Sequence, residues 1–197
     1  MTLQKTDSCM KFKRRVNVIA RSLIITTLLG FTLHVSVLGT VVPKMDLRAL
    51  VNNSDSIVQG KVEAIEVRLD EKLRLPFTWV RVRVDDPLKG SRQQTVFIRH
   101  VGGKTPGSPY TLAVAGTPRF QFGDNVIVFL RDVHDGSGAF QVVGMNQGKY
   151  QVIDEMAVAH ISGVELVDTK TGNVLPTGYV QSAPVEAFKA KIRELVR

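Results

Sequence analysis

Valines placed two residues apart set the terms on which this chain can fold. Val80, Val82 and Val84 alternate with Trp79, Arg81, Arg83 and Asp85, the period of a strand with one face buried and the other in water. Val126 to Leu130 is instead an unbroken apolar run of five, which suits a strand covered on both faces and so predicts the centre of the core. The expectation is an all-β domain.

The rest of the chain past residue 40 fills in around these two segments. Asp46 to Asn53 predicts a short helix, with Asp46 as cap and Leu47, Leu50 and Val51 on one face. Val58, Gly60, Val62 and Ala64 then alternate, and Ile65, Val67 and Leu69 continue in the opposite phase. That slip predicts a bulge or bend near Ala64. Pro87 and Gly90 are expected to stop the Val80 strand, and Thr95 to Val101 to return as its hairpin partner. Seven glycines and prolines between Gly102 and Pro118 predict a long excursion with one edge strand at Tyr110 to Val114. Asp135-Gly136 and Gly138 predict a turn into a strand over Phe140 to Met145. Tyr150 to Ile153 and Val158 to Val167 extend the sheet, with a turn at Thr171-Gly172-Asn173. Ser182 and Pro184 then open an amphipathic helix carrying Val185, Phe188, Ile192 and Leu195 on one stripe.

The segment ahead of residue 40 differs in kind. Lys5, Lys11, Lys13, Arg14, Arg15 and Arg21 precede an apolar run from Leu23 to Leu38, and only Asp7 opposes them. This is the charge pattern of a signal peptide, and Val37 and Gly39 are small enough for a cleavage site after Gly39. The expected layout is a signal peptide over 1–39 and one domain over 40–197, with the folded part periplasmic or secreted. An uncleaved membrane anchor over 23–42 is the alternative, since about 20 residues span a hydrocarbon core. Thr26, Thr27, Gly30, Thr32, His34 and Ser36 dilute that run.

Removing the leader changes the composition argument. It holds six of the 26 Lys and Arg and one of the 18 acids, so the formal charge falls from +8 to +3. The basic character is therefore weak ground for nucleic-acid binding, and none is expected. Cys9 is the single cysteine and lies in the leader, so the remaining residues must be held by packing alone.

Motifs with chemistry do not survive a spacing check. Gly103-Lys104-Thr105 resembles the end of a phosphate loop, but the pattern needs glycine where Ile98 stands, and Pro106 opposes the helix that would follow. Asp132, His134 and Asp135 offer metal-type ligands beside a turn, with no second His or Cys near them to close a site. Neither a metal nor a cofactor is expected. Asp85-Asp86 and Asp154-Glu155 read as solvated strand ends, because neighbouring strand residues point to opposite faces. What stands out is charge: residues 68–104 hold nine Lys and Arg against four acids. Trp79, Arg81, Arg83 and Arg99 are the candidate partner-binding face, with indole giving contact area and arginine the charge.

Several segments in order carry a resemblance: Asp55 to Val62, Leu88-Lys89-Gly90, Val101-Gly102-Gly103, Gly116 to Phe120, Gly123 to Val126, Val128-Phe129-Leu130 and Gly144 to Tyr150. Over about residues 46–153 the chain resembles a family of exported bacterial proteins without an assigned activity. More distantly, it is similar to netrin-like domains, which include the tissue inhibitors of metalloproteinases. That resemblance implies an OB-like, Greek-key β-barrel of five strands, here with a short helix before it and an amphipathic helix after it. Those inhibitors offer an amino-terminal cysteine to the protease zinc and are stapled by disulfides. Past residue 39 this chain has no cysteine, so the inhibitory mechanism does not carry over.

The expected function is a non-enzymatic binding module. Its partner would be an extracytoplasmic protein, a protease among the candidates, or an anionic ligand, held by the Gly102 to Pro118 loops and the arginine face. Membrane contact is expected only if the leader is retained. An enzyme assembled in three dimensions from His100, His134 and Asp135 is the competing class, and a membrane-anchored envelope structural protein is a third. Mass spectrometry of the exported chain should find an amino terminus within about three residues of Thr40; a terminus at Met1 in the membrane fraction would establish the anchor instead.

Overall fold

A computed structural model describes residues 40–90, 92–105, 107 and 109–197. The expected leader over 1–39, its cleavage point, Cys9 and Pro106 lie outside these residues. No helix among the described residues is long and apolar enough to cross a membrane.

The fold is all-β, with two short α-helices among the described residues. β1 (Val41–Pro43) leads into α1 (Leu47–Asn52), which is capped as expected: the Asp46 carboxylate accepts from the Ala49 amide at 2.8 Å. β2 (Ser56–Asp70) and β3 (Leu75–Lys89) form a long antiparallel hairpin, and β4 (Thr95–Val101) pairs with β3. β5 (Gly103–Lys104) and β6 (Thr111–Leu112) make a small hairpin of their own. β7 (Asn125–Asp132) returns along the first half of β2, and β8 (Ala139–Val142) lies antiparallel to β7 and parallel to β4. These pairings close a ring in the order β2-β3-β4-β8-β7. β9 (Lys149–Ile153), β10 (Met156–Ile161), β11 (Glu165–Val167), β12 (Val174–Leu175), β13 (Tyr179–Pro184) and α2 (Val185–Val196) follow. β9, β10 and β13 extend the ring's sheet outward from β7, while β1, β11 and β12 form a separate three-stranded sheet.

β7 explains its own sequence. On one side it pairs with β2, and on the other it is shared between β9 at Val126 to Val128 and β8 at Leu130 to Asp132. Val126, Val128 and Leu130 point into the ring with Val58, Val62, Val80, Val82, Val96, Ile98 and Phe140. Ile127 and Phe129 point the opposite way, into a second core with Leu50, Val51, Ile57, Tyr150, Phe188 and Ile192. All five residues of the run are 0% exposed. The alternation of strand side chains divides one apolar run between two cores.

The bend expected near Ala64 is present. Pairing between β2 and β3 shifts register between Val62 and Ala64, and again around Val58 and Gly60. At Gly60 the two backbones come so close that a Cβ would sit 2.0 Å from the Arg83 carbonyl oxygen, so glycine is required there. Pro87 does not stop β3, which runs on to Lys89. The proline sits opposite Val58 between two register shifts, beyond the end of β4 pairing at Arg83, where a missing N–H costs no ladder bond.

Other boundaries also differ from the sequence reading. The strand expected to reach Met145 ends at Val142, because Gly144 and Met145 both take positive φ and lead into a short 3-10 turn over Met145–Gly148. Gly163 divides the Val158 to Val167 run, placing its two halves in different sheets. Ser182 belongs to β13, and the helix starts only after Pro184. Asp154 and Glu155, read as solvated strand ends, are a two-residue hairpin turn with φ of 46° and 61°.

α2 lays Val185, Phe188 and Ile192 into the second core, where Phe188 meets Tyr150 at 4.5 Å and Phe129 at 6.3 Å between ring centroids. An ion pair fixes its position. Asp86 of β3 accepts from Lys189 at 2.8 Å and from Arg193 at 2.8 Å, so it is a helix anchor and not a solvated strand end. Partial burial pushes the Asp86 carboxyl up, but the two cations outweigh it and hold its pKa below the ordinary value.

Phe129 touches both the β9 and α2 aromatic rings, so Phe129→Ala should cost about 3–5 kcal/mol in a urea titration. Phe122→Ala, at an 80% exposed ring, should stay within about 0.5 kcal/mol of the parent. Equal losses would mean that the two-core description is wrong.

Candidate binding site

The four residues of the expected partner face do share a face. Trp79, Arg81 and Arg83 alternate along β3, and register places Arg99 of β4 opposite Trp79 and Phe97 opposite Arg81. The Arg99 guanidinium lies 5.5 Å from the Trp79 ring centre and 4.9 Å from that of Phe77. Arg68 approaches Trp79 at 5.2 Å. This is a stack of cations on aromatic rings.

Acids from the same surface accompany each arginine. Arg81 and Arg83 share the Glu63 carboxylate at 3.6 Å and 3.9 Å, and Arg83 also meets Asp85 at 3.2 Å. Arg68 pairs with Glu66 at 2.6 Å and Arg99 with Asp135 at 2.5 Å. Glu63 is the residue left over by the β2 bulge. Four arginines of residues 68–104, Arg68, Arg81, Arg83 and Arg99, are thus met by acids from outside that segment, Glu63 and Glu66 from β2 and Asp135 from the β7–β8 turn. Exposed pairs of this kind add little stability, but they reduce the field that an anion would meet.

His100, His134 and Asp135 are not brought together. Asp135 accepts from the Ser137 hydroxyl and amide, and these bonds, with Arg99, pull its pKa down to about 2. It sits on the Arg99 side of β4. His134 lies exposed in the β7–β8 turn, 3.5 Å from Asp132, at a positive φ of 55°. His100 follows Arg99 in the strand and so points to the opposite side.

That opposite side holds a cleft of about 410 Å³. Its floor is the end of the ring, with Val80, Thr78 and His100, and its outer wall is the returning segment with Leu112, Val114, Pro118 and Phe120. The chain leaves β4 by a sharp turn: the Thr78 hydroxyl donates to the Gly102 carbonyl at 2.7 Å, and Gly103 has φ of 125°. A Cβ on Gly103 would lie 2.8 Å from both Thr78 and Val67, so the excursion can pass this close only as glycine. Lys149 holds the outer wall, donating to the Arg119 carbonyl at 2.6 Å while lying 5.2 Å from the Phe120 ring centre. Burial pushes the Lys149 ammonium down, with Asp124 opposing that shift.

Gly102, Gly103, Pro118, Arg119, Phe120 and Lys149 all belong to segments that carry the resemblance, without any sign in the sequence of what they line. Gly102 to Pro118 marked the excursion. Nothing in the spacing pointed to His100 as a cleft residue.

His100 is the polar feature of the cleft. Its Nδ1 is buried without a hydrogen-bond partner among the described residues, and its ring lies 6.5 Å from that of Phe120. Burial pushes its pKa down to about 4 from an ordinary 6.5. Between these pH values the unfolded chain binds a proton that the folded chain does not, so acid favours unfolding. The contribution, about 3 kcal/mol, is fully present above pH 6.5 and is lost progressively as pH falls to about 4. His100→Phe should flatten the stability profile over that window in urea titrations; an unchanged slope would show that the imidazole is not desolvated in the native state.

No protein-family model matches the chain, and no curated protein is found similar to it, so its own geometry carries the functional reading.

Proposed function

We propose that this protein is an exported, non-enzymatic binding module, built on an OB-like barrel, that holds its partner in the cleft between the ring and the 102–121 excursion. The observation that carries this reading is the cleft itself. At about 410 Å³ it falls within the size range of small-molecule sites, and its walls are mainly apolar with few polar groups, as binding sites are.

Other observations support the remaining parts. A closed ring of five strands with a long crossover from β4 to β7 fits the five-stranded Greek-key plan of OB barrels, which bind ligands on one face and in the adjoining loops. The basic and then apolar leader supports export. His100 Nδ1 has no hydrogen-bond partner among the described residues to orient the ring as a general base, and Asp135 is engaged by Arg99 and Ser137. The arginine face is the weaker candidate for anion binding, because its charges are already paired.

Ala113 is exposed at the cleft, so Ala113→Trp should fill it without disturbing the core. In a thermal-shift panel of small molecules of varied charge and hydrophobicity, the parent should gain stability with a subset that leaves Ala113→Trp unaffected. A panel in which no compound separates the two proteins would reject the cleft as the binding site.

A further inference from the structure

We infer that the cleft takes a small apolar monocarboxylate: an anionic head at Arg119 and a hydrocarbon body against Ile65, Leu112, Val114 and Phe120. This rests on the cleft being the binding site and adds the chemical class of its ligand.

The charge inventory of the cleft selects the head group. Arg119 is exposed and lines the cleft, and among the described residues it forms no ion pair, unlike Arg68, Arg81, Arg83 and Arg99. Among the described residues, no aspartate or glutamate lines the cleft. His100, held neutral at pH 7 by its burial, offers a hydrogen bond but no second positive charge. One unpaired cation and no acid fit a monoanion. A planar guanidinium fork matches the two oxygens of a carboxylate, and a phosphate dianion is better served by several cations.

The walls select the body. Ile65 of β2 presents carbon on one side, and Leu112, Val114 and Phe120 present it on the facing side. A neutral apolar ligand would fill this space but leave Arg119 unused; a hydrophilic anion would use Arg119 and leave the walls wet. Only an amphiphile satisfies both.

Isothermal titration of the full chain with decanoate and with decanol tests this. Decanoate should bind saturably, at one per chain and at least tenfold more tightly than decanol. Arg119→Gln, at an exposed position, should bring decanoate down to the level of decanol. Equal affinities for the two probes, or decanoate binding untouched by Arg119→Gln, would overturn the head-group assignment. If neither probe binds while other compounds still stabilise the parent but not Ala113→Trp, the ligand class is wrong and the cleft reading stands. If no compound separates those two proteins, the cleft reading has failed as well.

Discussion

Double-sided burial of β7 is the constraint on which the remaining architecture depends. Its odd and even side chains enter different cores, and its free edge is divided between β8, which closes the ring, and β9, which starts the extension. Every larger element is fixed relative to this strand. α1 and α2 cover the face presented by Ile127 and Phe129, and the ring strands cover the face presented by Val126, Val128 and Leu130. A polar residue anywhere in the run would be buried without a partner on one side or the other, which accounts for five apolar residues in succession.

Charge in this protein is spent mostly on its own surface. Asp86 ties α2 to β3, the β2 bulge delivers Glu63 to two arginines, and the β7–β8 turn delivers Asp135 to Arg99. The arginines clustered around Trp79 are therefore met by acids in space, although the sequence shows them as a run of positive charge. Arg119 departs from this pattern beside an apolar cleft, and that contrast gives the cleft its chemical character.

The cleft exists because two glycines and one hydroxyl let the chain turn off β4 and come back across the ring's end. Thr78 holds the Gly102 carbonyl, Gly103 passes within contact of β2 and β3, and Lys149 pins the returning segment at Arg119. The sequence announced an ordered excursion through its glycines and prolines. It gave no sign that the excursion roofs a cleft, because the residues meeting there come from β3, β4 and the 111–121 segment. In sequence, His100 stands as a catalytic suspect with His134 and Asp135; the register of β4 turns it away from Asp135 and into the cleft.

Local pattern was enough to place α1 with its Asp46 cap, the alternating face of β3, the β4 boundaries, the slip in β2 and the core position of Val126 to Leu130. Each depends on side-chain period or on a cap within a few residues. Where β3 ends, where the Val158 run breaks between sheets, and that Ser182 lies in a strand were decided elsewhere. Pro87 is tolerated because β4 pairing has ended beside it, and β13 exists because β10 offers it an edge. The sequence by itself determined which residues alternate and which must be buried. Only the tertiary structure decided which strands meet, which acid neutralises which arginine, and that an unpaired arginine and a buried imidazole line one cleft, since those outcomes depend on contacts between residues tens of positions apart.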